Sequence, residues 1–211
     1  MPTRNTPQSV PIYQLKVTLK QSKPPIWRRL QVKADITLYT LHQILQIAMG
    51  WTNAHLHQFI VGGVAYGEPD RECDLEVVNE KRTRLQQIVR GVRAKFVYEY
   101  DFGDSWEHDI VVEKVFALEA QTCYPRCLTG RRSCPPEDVG GIWGYRHFLD
   151  AIQHAEHPEH EDYREWIGGD FDPEAFDLAA IMRLRVRVRL LTPVQSLNAL
   201  RRWLEAHLIC W

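Results

Sequence analysis

The chain has 211 residues, of which 45% are hydrophobic and 25% are charged, and its formal net charge is −1. This composition is typical of one soluble globular domain, or of one domain with an appendage. No window approaches the ~18 consecutive apolar residues that a membrane span requires, and residues 1–11 lack the apolar region of a secretory signal. We therefore expect a cytoplasmic protein with a flexible tail over residues 1–11 and five reduced cysteines.

Two strands and a helix are predicted first. Residues 12–20 alternate apolar and polar side chains, and a Pro-rich turn leads to a second such run over residues 26–32, so a hairpin is expected. Thr37 then caps a predicted helix that Gly50 ends. Its apolar stripe has the spacing of one helical face and consists of Leu38, Leu41, Ile44, Leu45 and Ala48.

Further hairpins are predicted in the middle of the chain. The pair Gly62–Gly63 separates two apolar runs, as in a tight hairpin turn, and a short helix is expected near Thr83. Residues 94–100 and 106–115 alternate again, with DFGDS as the turn between them. In that turn we expect Gly103 to supply the residue with positive φ.

After residue 118 the alternation is lost in a long segment rich in Cys, Pro and Gly that reaches residue 143. Such a long loop in a compact domain is usually functional when it is ordered. Three helices are predicted next, over about residues 145–155, 159–167 and 173–182. A strand-like run and a closing helix complete the chain.

This order of elements predicts an α+β fold with a mostly antiparallel sheet built from hairpins and helices gathered on one side of it. We assign residues 12–182 to this domain. Residues 183–211, with the Arg-rich strand-like run and the C-terminal helical segment, are expected to pack as an appendage.

Four ordered motifs resemble one known family, the plasmid pRiA4b ORF-3-like proteins. They are LHQILQIAMGWTNAHLHQF, YEYDFGDSWEHDIVVE, CPPEDVGGIWGYRHFL and FDPEAFD, and the resemblance runs from about residue 12 to about residue 183. The resemblance implies an α+β fold, a cytoplasmic protein, and an association with plasmids and transposable elements. It implies no reaction, so no catalytic residue is carried over.

Three of these motifs carry polar side chains that we expect to line one cleft. His55 and His57 are two residues apart, so on a strand both would point to one face and could share a metal ion. Trp106 and His108 would share a face of the strand that leaves DFGDS. The other candidates for the cleft are Tyr100, Asp101, Asp104, Glu137 and Asp138.

The C-terminal third has a separated charge pattern. Residues 134–177 contain twelve acidic residues and two Arg, whereas residues 182–202 contain six Arg and no acid. On a strand, Arg183, Arg185, Arg187 and Arg189 would face one way and could contact phosphates. Because the acidic segment directly precedes them and the pI is about 6.8, we expect intramolecular pairing and at most weak, non-specific nucleic-acid binding.

Two functions remain open on the sequence alone. The first is a non-enzymatic accessory module that binds an unknown protein or small ligand, with no cofactor expected. The second is a metal-assisted hydrolase or nuclease that uses the same cleft. In that case His55, His57 and His108 would bind a divalent metal, and Glu137 or Asp138 would complete the shell.

Overall fold

A computed structural model describes residues 10–69, 77–179 and 181 and shows one eight-stranded sheet with four α-helices. The strands are β1 Ile12–Leu19, β2 Trp27–Lys33, β3 His57–Val61, β4 Val64–Gly67, β5 Val78–Asn79, β6 Lys95–Tyr100, β7 Trp106–Phe116 and β8 Arg126–Arg131. The helices are α1 Leu38–Met49, α2 Leu85–Ile88, α3 Gly141–Gln153 and α4 His160–Ile167. None of the helices in these described ranges has the length and apolar character that crossing a membrane requires.

The strand order across the sheet is β5-β4-β3-β6-β7-β1-β2-β8, and every pair is antiparallel except β4 with β5. The predicted α+β class with a mostly antiparallel sheet is therefore confirmed. Gathering of all the helices on one side stays a prediction. The predicted caps of α1 are present, since Thr37 accepts a hydrogen bond from the amide of Thr40 and Gly50 adopts the left-handed conformation.

One face of the sheet forms the hydrophobic core. The register pairs Leu15 of β1 with Val112 of β7 and Leu30 of β2, so apolar side chains from three neighbouring strands meet on this face. The apolar stripe of α1 and buried residues of α3 belong to the same cluster, which includes Leu41 and Phe148. Burial of this surface is the main favourable term in folding.

The opposite face carries a connected polar network. Arg29 donates two hydrogen bonds to Glu113, at 2.6 and 2.9 Å, and this pairing lowers the pKa of that carboxyl. Gln14 also donates to Glu113, and its own side-chain oxygen accepts from Gln31, which in turn accepts from Arg126. Gln14 and Gln31 are buried, yet each is satisfied by a neighbour on this face.

Two elements differ from the sequence-based prediction. The segment expected to be a long loop contains β8, which pairs with β2 although RCLTGR has no clean alternation. The helix expected from residue 173 does not start there. The carbonyls of Asp172, Pro173 and Ala175 accept hydrogen bonds from Ser133, and the described helical residues of this segment begin at Leu178.

The DFGDS turn also differs in detail from the prediction. Asp101 and Ser105 have the positive φ angles, 58° and 52°, whereas Gly103 has none. Asp101 tolerates this conformation because its side-chain oxygen Oδ1 accepts hydrogen bonds from the amides of Gly103 and Asp104. The Arg183–Arg189 run, residues 1–9 of the predicted tail and the proposed appendage lie outside the described residues, whereas the carbonyl of Pro11 accepts a hydrogen bond from the amide of Ala34.

His108 of β7 is fully buried in the core, and neither ring nitrogen has a hydrogen-bond partner among the described residues. Its ring contacts those of Trp51 and Tyr98, with centroids 5.3 and 5.6 Å away. Burial lowers the pKa of His108 to about 4, and the charges of Arg28 and Lys20 act in the same direction. Backbone groups of Tyr98 and Trp106 oppose the shift, but burial has the larger effect.

We expect the substitution His108→Phe to make folding less sensitive to acid. The folded-state pKa of about 4 lies below the ~6.5 of an unfolded chain, so the unfolded state takes up the proton first as the pH falls. Stability from this neutral histidine is present above pH ~6.5 and is lost toward pH ~4. At about pH 5 the loss is on the order of 2 kcal/mol, measurable by urea denaturation at that pH and near neutrality.

The control is His147→Phe, because His147 is half exposed on α3 and outside the core. It should keep the wild-type pH dependence. If His108→Phe loses as much stability in acid as the wild type does, the buried histidine is not the source of the acid sensitivity.

Candidate functional site

The hydroxyl of Tyr100, at the end of β6, joins two segments that are distant in sequence. It accepts hydrogen bonds from the amides of Ala54 and His55, at 3.0 and 3.3 Å, and donates to Glu137 at 2.5 Å. Burial raises the pKa of Tyr100, and the adjacent Glu137 carboxylate raises it further, so the hydroxyl keeps its proton and can donate. The other carboxylate oxygen of Glu137 accepts from the amide and hydroxyl of Thr52.

This arrangement brings together one side chain from each of three sequence motifs. His55 Nδ1 lies 3.7 Å from Asp101 Oδ2, and His55 Nε2 lies 3.2 Å from Asp138 Oδ1. The second contact is within ion-pair distance but does not have hydrogen-bond geometry, so Nε2 is buried without a hydrogen-bond partner. One potential ligand atom from each residue lies within 4.8 Å of the other two.

The CPPEDVGG loop is fixed against the DFGDS turn. The carboxylate of Asp104 accepts a hydrogen bond from the amide of Gly140 at 3.2 Å. A Cβ atom on Gly141 would lie 2.5 Å from the backbone oxygen of Asp104, and Gly141 has a φ of +66°. Gly141 therefore permits a backbone approach that a side chain would block. At the other end of the loop, the Trp51 indole donates to the carbonyl of Pro135.

A second polar network lies beside this cluster. The rings of His42 on α1 and His57 on β3 stack in parallel, with centroids 3.4 Å apart and planes inclined by 3°. His57 Nε2 contacts the carboxylate of Glu80 at 2.9 Å, and Glu80 is fully buried. Burial lowers the pKa of His42 to about 3, and the neighbouring His57 contributes to the shift.

Hydrogen bonds fix the tautomer of the neutral His42 ring. The side-chain amide of Gln46 donates a hydrogen bond to the Tyr98 hydroxyl oxygen. The Tyr98 hydroxyl can therefore donate its own proton to His42 Nδ1, which lies 2.9 Å away. His42 Nε2 then carries its own proton and donates to the side-chain oxygen of Asn53 at 2.6 Å. The backbone amide of Asn53 donates to the side-chain oxygen of Gln46, so these hydrogen bonds form a closed ring.

A pocket of about 260 Å³ opens over both networks. Its polar lining includes His42, Asn53, His55, His57 and Gln58. Its remaining walls are formed by Tyr39, Leu56, Gly67, Glu68, Val77 and Phe102. The volume suits a small ligand that presents both ring surface and hydrogen-bonding groups.

The structure divides the predicted cleft. His55, Asp101 and Asp138 meet, with Tyr100, Asp104 and Glu137 as their supports, whereas Trp106 and His108 are buried in the core. His55 precedes β3, so it does not share a strand face with His57, and each histidine has its own acidic partner. The predicted ligand trio His55, His57 and His108 is not among the groups of convergent metal-ligand atoms in the described residues.

Sequence reasoning missed His42, Gln46, Asn53 and Glu80. The burial of His42 and Gln46 could have been predicted, because residues 42, 46 and 49 continue the spacing of the buried face of α1. No pattern in the sequence pairs Glu80 with His57, since the contact depends on the folding of the chain between β4 and α2.

The described residues contain one other group of convergent ligand atoms. It is formed by His147, His157 and Glu159 near the end of α3, and it is largely exposed. Cys123, Cys127 and Cys134, whose spacing is C-x3-C-x6-C, belong to neither group. Cys134 instead contacts Arg28 and the sulfur of Met49.

We expect Tyr100→Phe to destabilise the protein and loosen the attachment of the CPPEDVGG loop. The substitution keeps the ring but removes the acceptor of two amides and the donor to Glu137. Leaving such groups unsatisfied costs roughly 1–3 kcal/mol each where they stay buried. Urea denaturation measures the stability, and hydrogen exchange of the loop amides measures the attachment. Unchanged exchange in the loop would contradict the role assigned to this hydroxyl.

Comparisons with known proteins agree with this fold. The family model described as plasmid pRiA4b ORF-3-like protein matches residues 11–180. The uncharacterized protein y4hQ of Sinorhizobium fredii (strain NBRC 101917 / NGR234) is 41% identical over 172 residues, 81% of this chain and 88% of the relative. The crystal structure of a protein of unknown function, MM3350 from Methanosarcina mazei Go1, superposes with a TM-score of 0.74 at 36% identity, covering 82% of this chain and 98% of that one. The resemblance inferred from the four motifs is confirmed: this chain belongs to the plasmid pRiA4b ORF-3-like protein family.

Proposed function

We propose that the protein is a non-enzymatic binding module whose pocket takes a small, planar, polar ligand. The observation that carries this proposal is the stacked pair of His42 and His57, which lines the pocket and is held from behind by buried partners. When the side chains of a pocket wall are already ordered, binding of a ligand carries a smaller entropic cost.

The chemistry of the lining supports this ligand class. Tyr39 and Phe102 offer aromatic surface, on which a planar ring can stack. Asn53 and Gln58 offer amide groups that both donate and accept hydrogen bonds. A heterocycle with ring nitrogens or exocyclic oxygen and amino groups fits both sets of contacts.

The lining also favours binding over covalent catalysis. Among the described residues that line the pocket there is no Ser, Thr, Cys or Lys, so a hydroxyl, thiol or amine nucleophile of those types is not provided by this lining. The carboxylate partner of His57 is fully buried and orients the ring. That role is as useful for recognition as for proton transfer.

Metal-assisted hydrolysis is the second candidate, because of the group His55, Asp101 and Asp138 at the edge of the pocket. Two carboxylates and an imidazole are a ligand set on which a metal could activate water. Hydrolysis of a phosphoester that depends on added metal and is lost in Asp138→Asn would favour this function over binding alone.

The cellular role that we propose is that of an accessory protein of plasmids or transposable elements, acting in the cytoplasm. The support is the family itself, which is named after a plasmid open reading frame. The partner is a small ligand or another protein.

We expect simple purine, pyrimidine and imidazole compounds to bind the pocket. Truncation of an aromatic side chain in the pocket wall should lower their affinity. Phe102 is 41% exposed, so Phe102→Ala should leave the fold intact while removing a stacking surface. Loss of such a contact should weaken binding by about tenfold, which corresponds to 1.4 kcal/mol. Titrations followed by amide chemical shifts in NMR spectra give both the affinity and the location.

The matched control is Trp143→Ala, which removes a more exposed aromatic ring from α3, outside the pocket. It should bind like the wild type. Equal weakening in both variants, or no perturbation of pocket amides by any of the compounds, would contradict the proposed pocket.

A further inference from the structure

We propose that His55, Asp101 and Asp138 form a binding site for a divalent first-row transition-metal ion. This inference does not rest on the binding of a ligand in the pocket, because of the three side chains only His55 lines the pocket. The three ligand atoms already lie within 4.8 Å of one another. Ligand atoms at the usual ~2.1 Å from one ion lie about 3–4 Å apart, so small side-chain rotations would complete the coordination.

The charge of the group matches a divalent cation. Two carboxylates and a neutral imidazole carry a formal charge of −2. In the described part of the chain, neither Asp101 nor Asp138 has an Arg or Lys within ion-pair distance, and each contacts only His55 in this way. Carboxylates this close together repel each other, and a cation between them removes the repulsion.

Two atoms of the group have no hydrogen-bond partner among the described residues, and one of them, His55 Nε2, is buried. Asp101 is only 8% exposed, and its Oδ1 accepts both hydrogen bonds of the turn. Its Oδ2 accepts none from the described residues and faces the His55 ring. His55 Nε2 is buried without a hydrogen-bond partner. Buried polar atoms in proteins are nearly always satisfied, so the unpartnered His55 Nε2 supports the binding of an ion at this group.

The segments that carry the three ligands are held by further hydrogen bonds. The Tyr100 hydroxyl fixes the backbone of His55 and the side chain of Glu137, which directly precedes Asp138. Asp104 fixes the loop on the other side of Asp138 through the amide of Gly140. Such outer contacts orient metal ligands and are as necessary for affinity as the ligands themselves.

The ligand types narrow the choice of ion. One imidazole nitrogen with two carboxylate oxygens suits zinc, manganese, iron or cobalt better than soft, thiolate-seeking ions. Asp138 is 71% exposed, so the ion would remain open to water or to an incoming ligand.

The test is calorimetric titration of the full-length, untagged, chelator-treated protein with Zn²⁺ and with Mn²⁺. We expect one ion per chain, and an affinity at least about tenfold weaker in Asp138→Asn and in Asp101→Asn. Asparagine tolerates the positive φ at both positions and keeps the oxygen that accepts the turn hydrogen bonds. The melting temperatures of the metal-free variants should therefore match that of the wild type.

A spectroscopic measurement identifies the nitrogen ligand. Pulsed electron paramagnetic resonance of the Mn²⁺ complex should show one coordinated imidazole nitrogen, lost in His55→Gln. The double variant His147→Ala, His157→Ala removes the exposed group and should leave the affinity unchanged.

Three outcomes would overturn the proposal. They are no binding of either ion, binding that both Asp→Asn variants retain at full affinity, and binding that the His147→Ala, His157→Ala variant abolishes. Each of these outcomes leaves binding of heterocycles to the pocket, as tested with Phe102→Ala, unaffected. Failure of the metal site and failure of the proposed function can therefore be told apart.

Discussion

The hydroxyl of Tyr100 is the group on which the geometry of the site depends. It projects from a central strand of the sheet, so its position is set by the core, and it is shared by two backbone amides and one carboxylate. Those partners lie 45 residues before it and 37 residues after it. Because the sheet holds this hydroxyl in place, its hydrogen bonds fix the positions of two segments outside regular strands. These segments carry His55 and Asp138.

The two networks around the pocket differ in whether their polar atoms have partners. The His42 network places a neutral ring between a hydroxyl and an amide, and every polar atom of that ring has a partner. The group around His55 instead gathers carboxylates about a ring nitrogen that has no hydrogen-bond partner. The first is a satisfied structural wall. The second places two carboxylates without an Arg or Lys partner among the described residues at the edge of the same pocket.

Much of the fold follows from local patterns, and much of the site does not. The alternation in β1 and the capped stripe of α1 could be predicted because the signal lies within a few consecutive residues. Motif composition also identified His55, Asp101 and Asp138 as candidates. Their convergence without His108 could not be foreseen, because the burial of His108 depends on α1 and Trp51 covering that face of β7. Likewise β8 is a strand only because β2 provides an edge for it.

The polar network on the other face of the sheet limits what can cover it. Gln14, Gln31 and Glu113 are satisfied by one another and by arginines, so an apolar surface laid on this face would gain little and would strip water from the remaining charges. If this face of the eight-stranded sheet were apolar and uncovered, face-to-face packing of two such sheets would be favoured. Here the side chains of the second face bond to one another and to arginines, so a neighbour that covers this face must bring hydrogen-bonding groups of its own.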